Sequence, residues 1–128
     1  MKRFLLTLAF LTIAMITTCQ VVYLEGSKLE VRTETEELIA SNYFPGIVHA
    51  VCGYETVAMF YDNDRVEVRN LKLDLLTSNY FTGIIGLAIT AKSMAKKPEA
   101  LIIMYYNDRK VETRDKQLNL ISTRYRQL

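Results

Sequence analysis

Three passages of the chain are copies of one another, and no other feature limits its fold as tightly. Val21-Val22-Tyr23 through Arg32 runs on to Leu38-Ile39 and Ser41-Asn42-Tyr43-Phe44. Val57-Ala58-Met59-Phe60-Tyr61 through Arg69 runs on to Leu75-Leu76 and Ser78-Asn79-Tyr80-Phe81. Leu101-Ile102-Ile103-Met104-Tyr105 through Arg114 runs on to Leu120-Ile121 and Tyr125. The offset from first to second copy is 37, Arg32 to Arg69 and Tyr43 to Tyr80. From second to third it is 44 at Asp64/Asp108 and 45 at Arg69/Arg114, which places an inserted residue near Lys110. Self-similarity at this period marks a small unit that cannot bury its apolar face alone and stacks on its neighbours.

Each copy reads as strands and turns. Gly46 to Val51 is a strand, Cys52 to Glu55 a turn, and Thr56 to Tyr61 a strand rich in β-branched and aromatic residues. Asp62-Asn63-Asp64 supplies turn residues. Arg65 to Arg69 alternates with period two, which turns Val66 and Val68 to a core and Glu67 and Arg69 to water. Asn70 breaks the alternation, and Leu71 to Leu75 resumes it as a strand bending around a barrel corner. In the third copy Gly83 to Ala91 and Ala100 to Tyr106 are strands, with a helical turn expected near 92–97 ahead of Pro98. Thr33 to Ile39 has the Thr-x-x-Glu form of a helix cap, but the other copies lack that form and a strand is expected.

The start of the chain has a different character. Met1-Lys2-Arg3 precedes an uncharged run from Phe4 to Ile16 and then Thr17-Thr18-Cys19, the order of a secretory signal. Cleavage after Cys19 and lipidation of Cys19 both fit this pattern. So does an uncleaved core strand over 8–16, because the 37-residue offset sets Phe10 to Ile13 under Ile47 to Ala50. The expected organisation is a signal peptide over 1–19, a partial first repeat over 20–42, and full repeats over 43–79 and 80–128.

Net charge is +2, and Lys2 and Arg3 account for it, so nothing overall draws the chain to nucleic acid or membrane. A membrane contact would come only through a lipid on Cys19. The charge is uneven: residues 20–40 carry a local −3 and residues 109–128 a local +4. Solvated faces, head-to-tail docking and a weak anion site all fit that asymmetry.

Chemistry is sparse. His49 is the only histidine, and no motif supplies the nucleophile and acid of a hydrolytic triad. Asp62-Asn63-Asp64 lacks the glycine and glutamate of a calcium loop. Two cysteines make no disulfide framework and no metal site, and no cofactor motif occurs. The chain is therefore expected to be non-enzymatic. Tyr43, Tyr80 and Tyr125 share one repeat position, where they either pack with a wet hydroxyl or form amphipathic contacts for a protein or peptide.

Tyr43-Phe44-Pro45-Gly46-Ile47-Val48-His49-Ala50-Val51, followed by Val57 to Asn63 and Glu67-Val68, resembles the Tudor and Agenet families of small β-barrels. The resemblance covers residues 43–76 best and 80–121 more loosely. It implies a non-catalytic module, often a reader of methylated lysine or arginine through an aromatic cage. Phe44, Tyr54, Phe60 and Tyr61 are the ligand-binding candidates. Asn63, Asp64 and Arg65 stand where such readers carry tyrosine, glycine and asparagine, which removes one cage wall. The expectation is a mainly β chain of tandem small antiparallel Tudor-like barrels that binds a protein or peptide after export or at the cell envelope. The alternative is an intracellular reader of modified peptides with an uncleaved N-terminal strand.

Overall fold

The computed structural model describes residues 20–92 and 98–127. Among them three antiparallel sheets follow one another along the chain. The first holds β1 (Gln20–Glu25), β2 (Lys28–Thr33) and β3 (Leu38–Tyr43). The second holds β4 (Ile47–Gly53), β5 (Thr56–Tyr61), β6 (Arg65–Asn70) and β7 (Leu75–Tyr80). The third holds β8 (Ile84–Ala91), β9 (Ala100–Tyr106), β10 (Lys110–Arg114) and β11 (Leu120–Tyr125). Within each sheet every strand pairs with its neighbour in sequence, so each sheet is a meander.

The mainly β expectation holds, but the barrels do not. The second sheet begins at β4 and ends at β7, the third begins at β8 and ends at β11, and neither closes on itself. The barrel corner expected over Leu71 to Leu75 is a tight turn. Asn70 Oδ1 accepts the N–H groups of Lys72 and Asp74, both at 3.0 Å, and Leu73 takes a φ of 69°. An asparagine that satisfies the backbone two and four residues on reverses the chain instead of bending it. The outer strand then starts at Leu75.

Neighbouring sheets meet mainly through their early strands: β1 lies against β4, β4 against β8, and β5 against β8. The sheets therefore converge at one end and splay at the other, the arrangement of propeller blades in an unclosed fan. The first core joins blades one and two through Leu29, Val31, Phe44, Val57, Met59 and Leu73. The second joins blades two and three around Ala58, Phe60, Val66, Val68, Ile102 and Met104. Blade two is thus covered on both faces, which is why Thr56 to Phe60 is buried at every position instead of every other one.

The same covering corrects the expected exposure of Glu67, which is 2% exposed. The hairpin register also moves the inserted residue. Asp64 N–H donates to Tyr61 O and Arg109 N–H to Tyr106 O, so Asp64 matches Arg109 and not Asp108. Ile47 and Ile84 are 37 apart and Tyr61 and Tyr106 are 45 apart, so the extra length lies in the β8–β9 connection. The helix expected near 92–97 falls on residues 93–97, outside the described residues, as does the whole of 1–19. Gly46 opens β4 at a φ of 85°, where a Cβ would stand 3.1 Å from Asp62 Oδ1.

Candidate protein-interaction surfaces

Alternation along β6 sends Val66 and Val68 toward blade three, and Glu67 and Arg69 toward blade one. Glu67 Oε1 accepts a hydrogen bond from Tyr61 Oη at 2.5 Å and from Arg69 Nε and Nη2 at 3.1 and 3.0 Å. Arg65 reaches its other oxygen at 2.7 Å. Arg69 Nη1 also donates to Leu73 O at 2.8 Å, and its guanidinium rests 4.7 Å from the centre of the Phe44 ring. Blade three repeats the cluster: Tyr106 and Arg114 donate to Glu112, Arg114 donates to Leu118 O, and Arg114 lies over Phe81. Burial first, and then the bond to the glutamate, push the Tyr61 and Tyr106 hydroxyls above the usual tyrosine range.

The hydroxyl, carboxylate and guanidinium groups of these clusters bond to one another where the blades meet, so they hold blades together. The sequence did carry a signal for them. Glu30-Val31-Arg32, Glu67-Val68-Arg69 and Glu112-Thr113-Arg114 recur at one position, and a merely solvated face has no need of that identity.

Blade one departs from this plan. Glu30 keeps its bond from Arg32 Nε at 3.1 Å, which lowers its carboxyl pKa, and Arg32 Nη1 donates to Glu36 O at 2.8 Å. The strand pairings make Tyr23, Met59 and Met104 equivalent, since each faces its blade's central glutamate. Glu25 therefore stands where blades two and three have Tyr61 and Tyr106, and Glu36 stands for Leu73 and Leu118. The result is an open groove lined by Tyr23, Glu25, Glu30, Arg32 and Glu36.

The four aromatic candidates do not line one cage. Phe44 is 7% exposed beneath Arg69, and Tyr61 lies on the same side of blade two, bonded to Glu67. Phe60 is buried on the opposite side, its ring 5.8 Å from that of His49. Tyr54 is exposed in the β4–β5 turn and shares a cleft with Leu76, Pro98 and Lys116. Cys19 lies outside the described residues. Cys52 donates to Gln20 O at 3.1 Å, and burial raises its thiol pKa. Among the described residues no group of three or more His, Cys, Asp or Glu side chains is placed to hold a metal ion.

The outermost strands present a repeated surface. Leu38, Leu75 and Leu120 begin β3, β7 and β11 at 53%, 47% and 53% exposure; Tyr43, Tyr80 and Tyr125 end them at 66%, 63% and 64%. Each of these strands pairs on one side only. The blades thus end in a rim of exposed aliphatic and tyrosine side chains beside unpaired backbone.

No protein-family description matches the chain, and no curated protein matches it. Solved structures do. The fold is similar to that in a crystal structure of BBS1N in complex with ARL6DN, soaked with lead: the TM-score is 0.66 and the identity 17%, over 84% of this chain and 35% of that one. A crystal of the same complex soaked with mercury gives 0.63 and 17%, over 84% and 36%. The chain spans about a third of the length of the structures it matches. The likeness is one of fold, and it replaces the Tudor and Agenet resemblance, whose aromatic-Pro-Gly motif is the turn that opens a blade. The reading as an exported or cell-envelope Tudor-like module thus loses the fold it rested on.

Proposed function

We propose that this chain is a non-catalytic intracellular scaffold that binds a protein partner along the rim of its blades. The observation that carries this reading is the recurrence of exposed Leu and Tyr at the two ends of all three outer strands. A surface without a task has no reason to keep large apolar groups in water at matching positions. The finer reading is that an extended segment of the partner adds to the free edge of β7 and meets Leu75, Leu76 and Tyr80, with Tyr54 beside them. The fold likeness bears on the coarser reading alone: BBS1N was crystallised in complex with ARL6DN.

The test is affinity capture from the native cell with the full chain and with a Leu75→Ser/Tyr80→Ser variant, both confirmed as folded by circular dichroism. A protein partner held by the parent and lost by the folded variant is the expected result. Equal capture by both would exclude the β7 edge as the contact.

A further inference from the structure

The outer strands of the three blades end on one plan. Phe44, Phe81 and Arg126 each send the N–H inward, to the carbonyls of Ser27, Asp64 and Arg109. Backbone groups alternate along an antiparallel strand, so the N–H one residue earlier, on Tyr43, Tyr80 or Tyr125, points away from its blade. In the first two blades an asparagine takes that donor. Asn42 Oδ1 accepts from Tyr43 N–H and Asn79 Oδ1 from Tyr80 N–H, each at 2.8 Å. Native sheets blunt their exposed edges, and a donor held by its own neighbour is closed to another strand.

Blade three changes the chemistry of this end. Arg124 stands where the other two blades have asparagine, and a guanidinium has no acceptor to offer Tyr125 N–H. In the turn, Arg109 stands where they have Ser27 and Asp64. β3 and β7 carry no charged side chain, whereas β11 carries a cation next to Tyr125. Arg109 and Arg124 are both exposed, as are Leu120, Ile121 and Tyr125. That exposure belongs to the position and not to the blade's place in the chain. Asn42 and Asn79 are exposed as well, although a further blade follows each of them.

We infer that the outer edge of β11 receives an extended acidic segment of another protein, a contact separate from the one at β7. The segment pairs with the backbone groups of Thr123 and Tyr125 that point away from β10. Its carboxylates meet Arg124 and Arg109, in charge-assisted hydrogen bonds that neither β3 nor β7 can make. Side chains alternate across the sheet, so acidic residues follow the Arg124 side of the added strand and apolar ones the Tyr125 side. At β7, Asn79 confines any pairing to the stretch before Tyr80. The two edges thus select different segments, a neutral one at β7 and an acidic one at β11.

Calorimetric titration of the full chain with a short capped peptide alternating valine and glutamate tests this. The peptide should bind at least about tenfold more tightly than its counterpart with lysine for glutamate. Binding should weaken as salt rises from about 0.1 M to about 1 M. Arg124→Asn copies the first two blades and should abolish binding while the melting temperature stays near that of the parent. Arg124→Ala removes the cation but leaves Tyr125 N–H open, and should lose only part of the affinity. The Leu75→Ser/Tyr80→Ser variant should bind the peptide as the parent does, which separates this contact from the one at β7. A parent that ignores the acidic peptide, or takes the lysine peptide equally well, would overturn the inference. So would an Arg124→Asn variant that binds normally, or a peptide lost from the β7 variant. Equal losses in the asparagine and alanine variants would leave charge alone and overturn the strand pairing.

Discussion

The Arg69 guanidinium lies 4.7 Å from the centre of the Phe44 ring, so a cation fixed in one blade rests on the residue that ends the blade before it. Arg114 and Phe81 repeat the relationship at 4.6 Å. The arginine is positioned from below by its glutamate and from the side by the carbonyl of the turn leucine. Three different interactions thus converge on one side chain at each joint.

Arg69→Lys should therefore be far from conservative. An ammonium cannot reach Glu67 through two nitrogens, donate to Leu73 O and lie flat on Phe44 at once. The expected loss is about 2–4 kcal/mol in urea unfolding, most of it from the buried carboxylate left short of partners. Unfolding indistinguishable from the parent would mean that the cluster does not hold the joint.

Glu67 and Val68 give a comparison between adjacent residues on opposite faces. Val68→Ala removes two methyl groups from the second core and should cost roughly 1–3 kcal/mol. Glu67→Ala leaves Arg69 and Tyr61 without their shared acceptor and should cost about 2–4 kcal/mol. A strand with one wet face would instead show the glutamate variant within about 0.5 kcal/mol of the parent.

The two tyrosines bonded to the cluster glutamates set an alkaline limit. Tyr61 and Tyr106 hold their hydroxyl protons above the ordinary value of 10.0 in the folded chain. A raised folded pKa stabilises the fold fully below the unfolded value, and that stability is lost as pH rises from there through the folded value. Thermal stability should thus fall as pH climbs past about 10. Tyr61→Phe/Tyr106→Phe should flatten that fall while lowering stability at neutral pH. A double variant with the parent's alkaline profile would place the loss elsewhere.

The strands were legible because Thr56 to Tyr61 and Ala100 to Tyr106 are dense in β-branched and aromatic residues, and both have the bounds expected. The repeat was legible too, and with it the stacking. What the sequence hid was the second covered face. Period-two alternation in Arg65 to Arg69 is the signature of a half-wet strand, and here the charged half is buried because its charges are paired with one another. Phe44 and Phe60 followed from the same gap. Both look like the walls of a ligand cage along the chain, and the packing of blade against blade draws them to opposite sides of one sheet. The rim tyrosines stood out by recurrence alone, since exposure cannot be read from a strand whose neighbours are unknown.

The turn that replaced the barrel corner yields a last prediction. Asn70 Nδ2 donates to Asp74 Oδ2 at 3.2 Å, and in blade three Asn119 Nδ2 donates to Asp115 Oδ2 at the same distance with the two residue types exchanged. Both residues at the start of the turn use Oδ1 to accept the N–H groups two and four positions on. Burial pushes the Asp115 carboxyl up, but the hydrogen bonds from Asn119 and Gln117 outweigh it and lower its pKa. Asn70→Asp alone keeps the acceptor but sets two carboxylates side by side, and should cost up to about 1 kcal/mol. Adding Asp74→Asn copies the blade-three turn and should recover stability to within about 0.5 kcal/mol of the parent. Asn70→Ala removes the acceptor from both N–H groups and should cost about 1–3 kcal/mol. The single aspartate variant should also regain its loss in acid, once one carboxylate of the pair takes up a proton. Denaturant titrations of the four proteins at neutral and acidic pH would measure the coupling. A double variant no more stable than Asn70→Asp alone would show that the exchange of residues between blades is incidental to the turn.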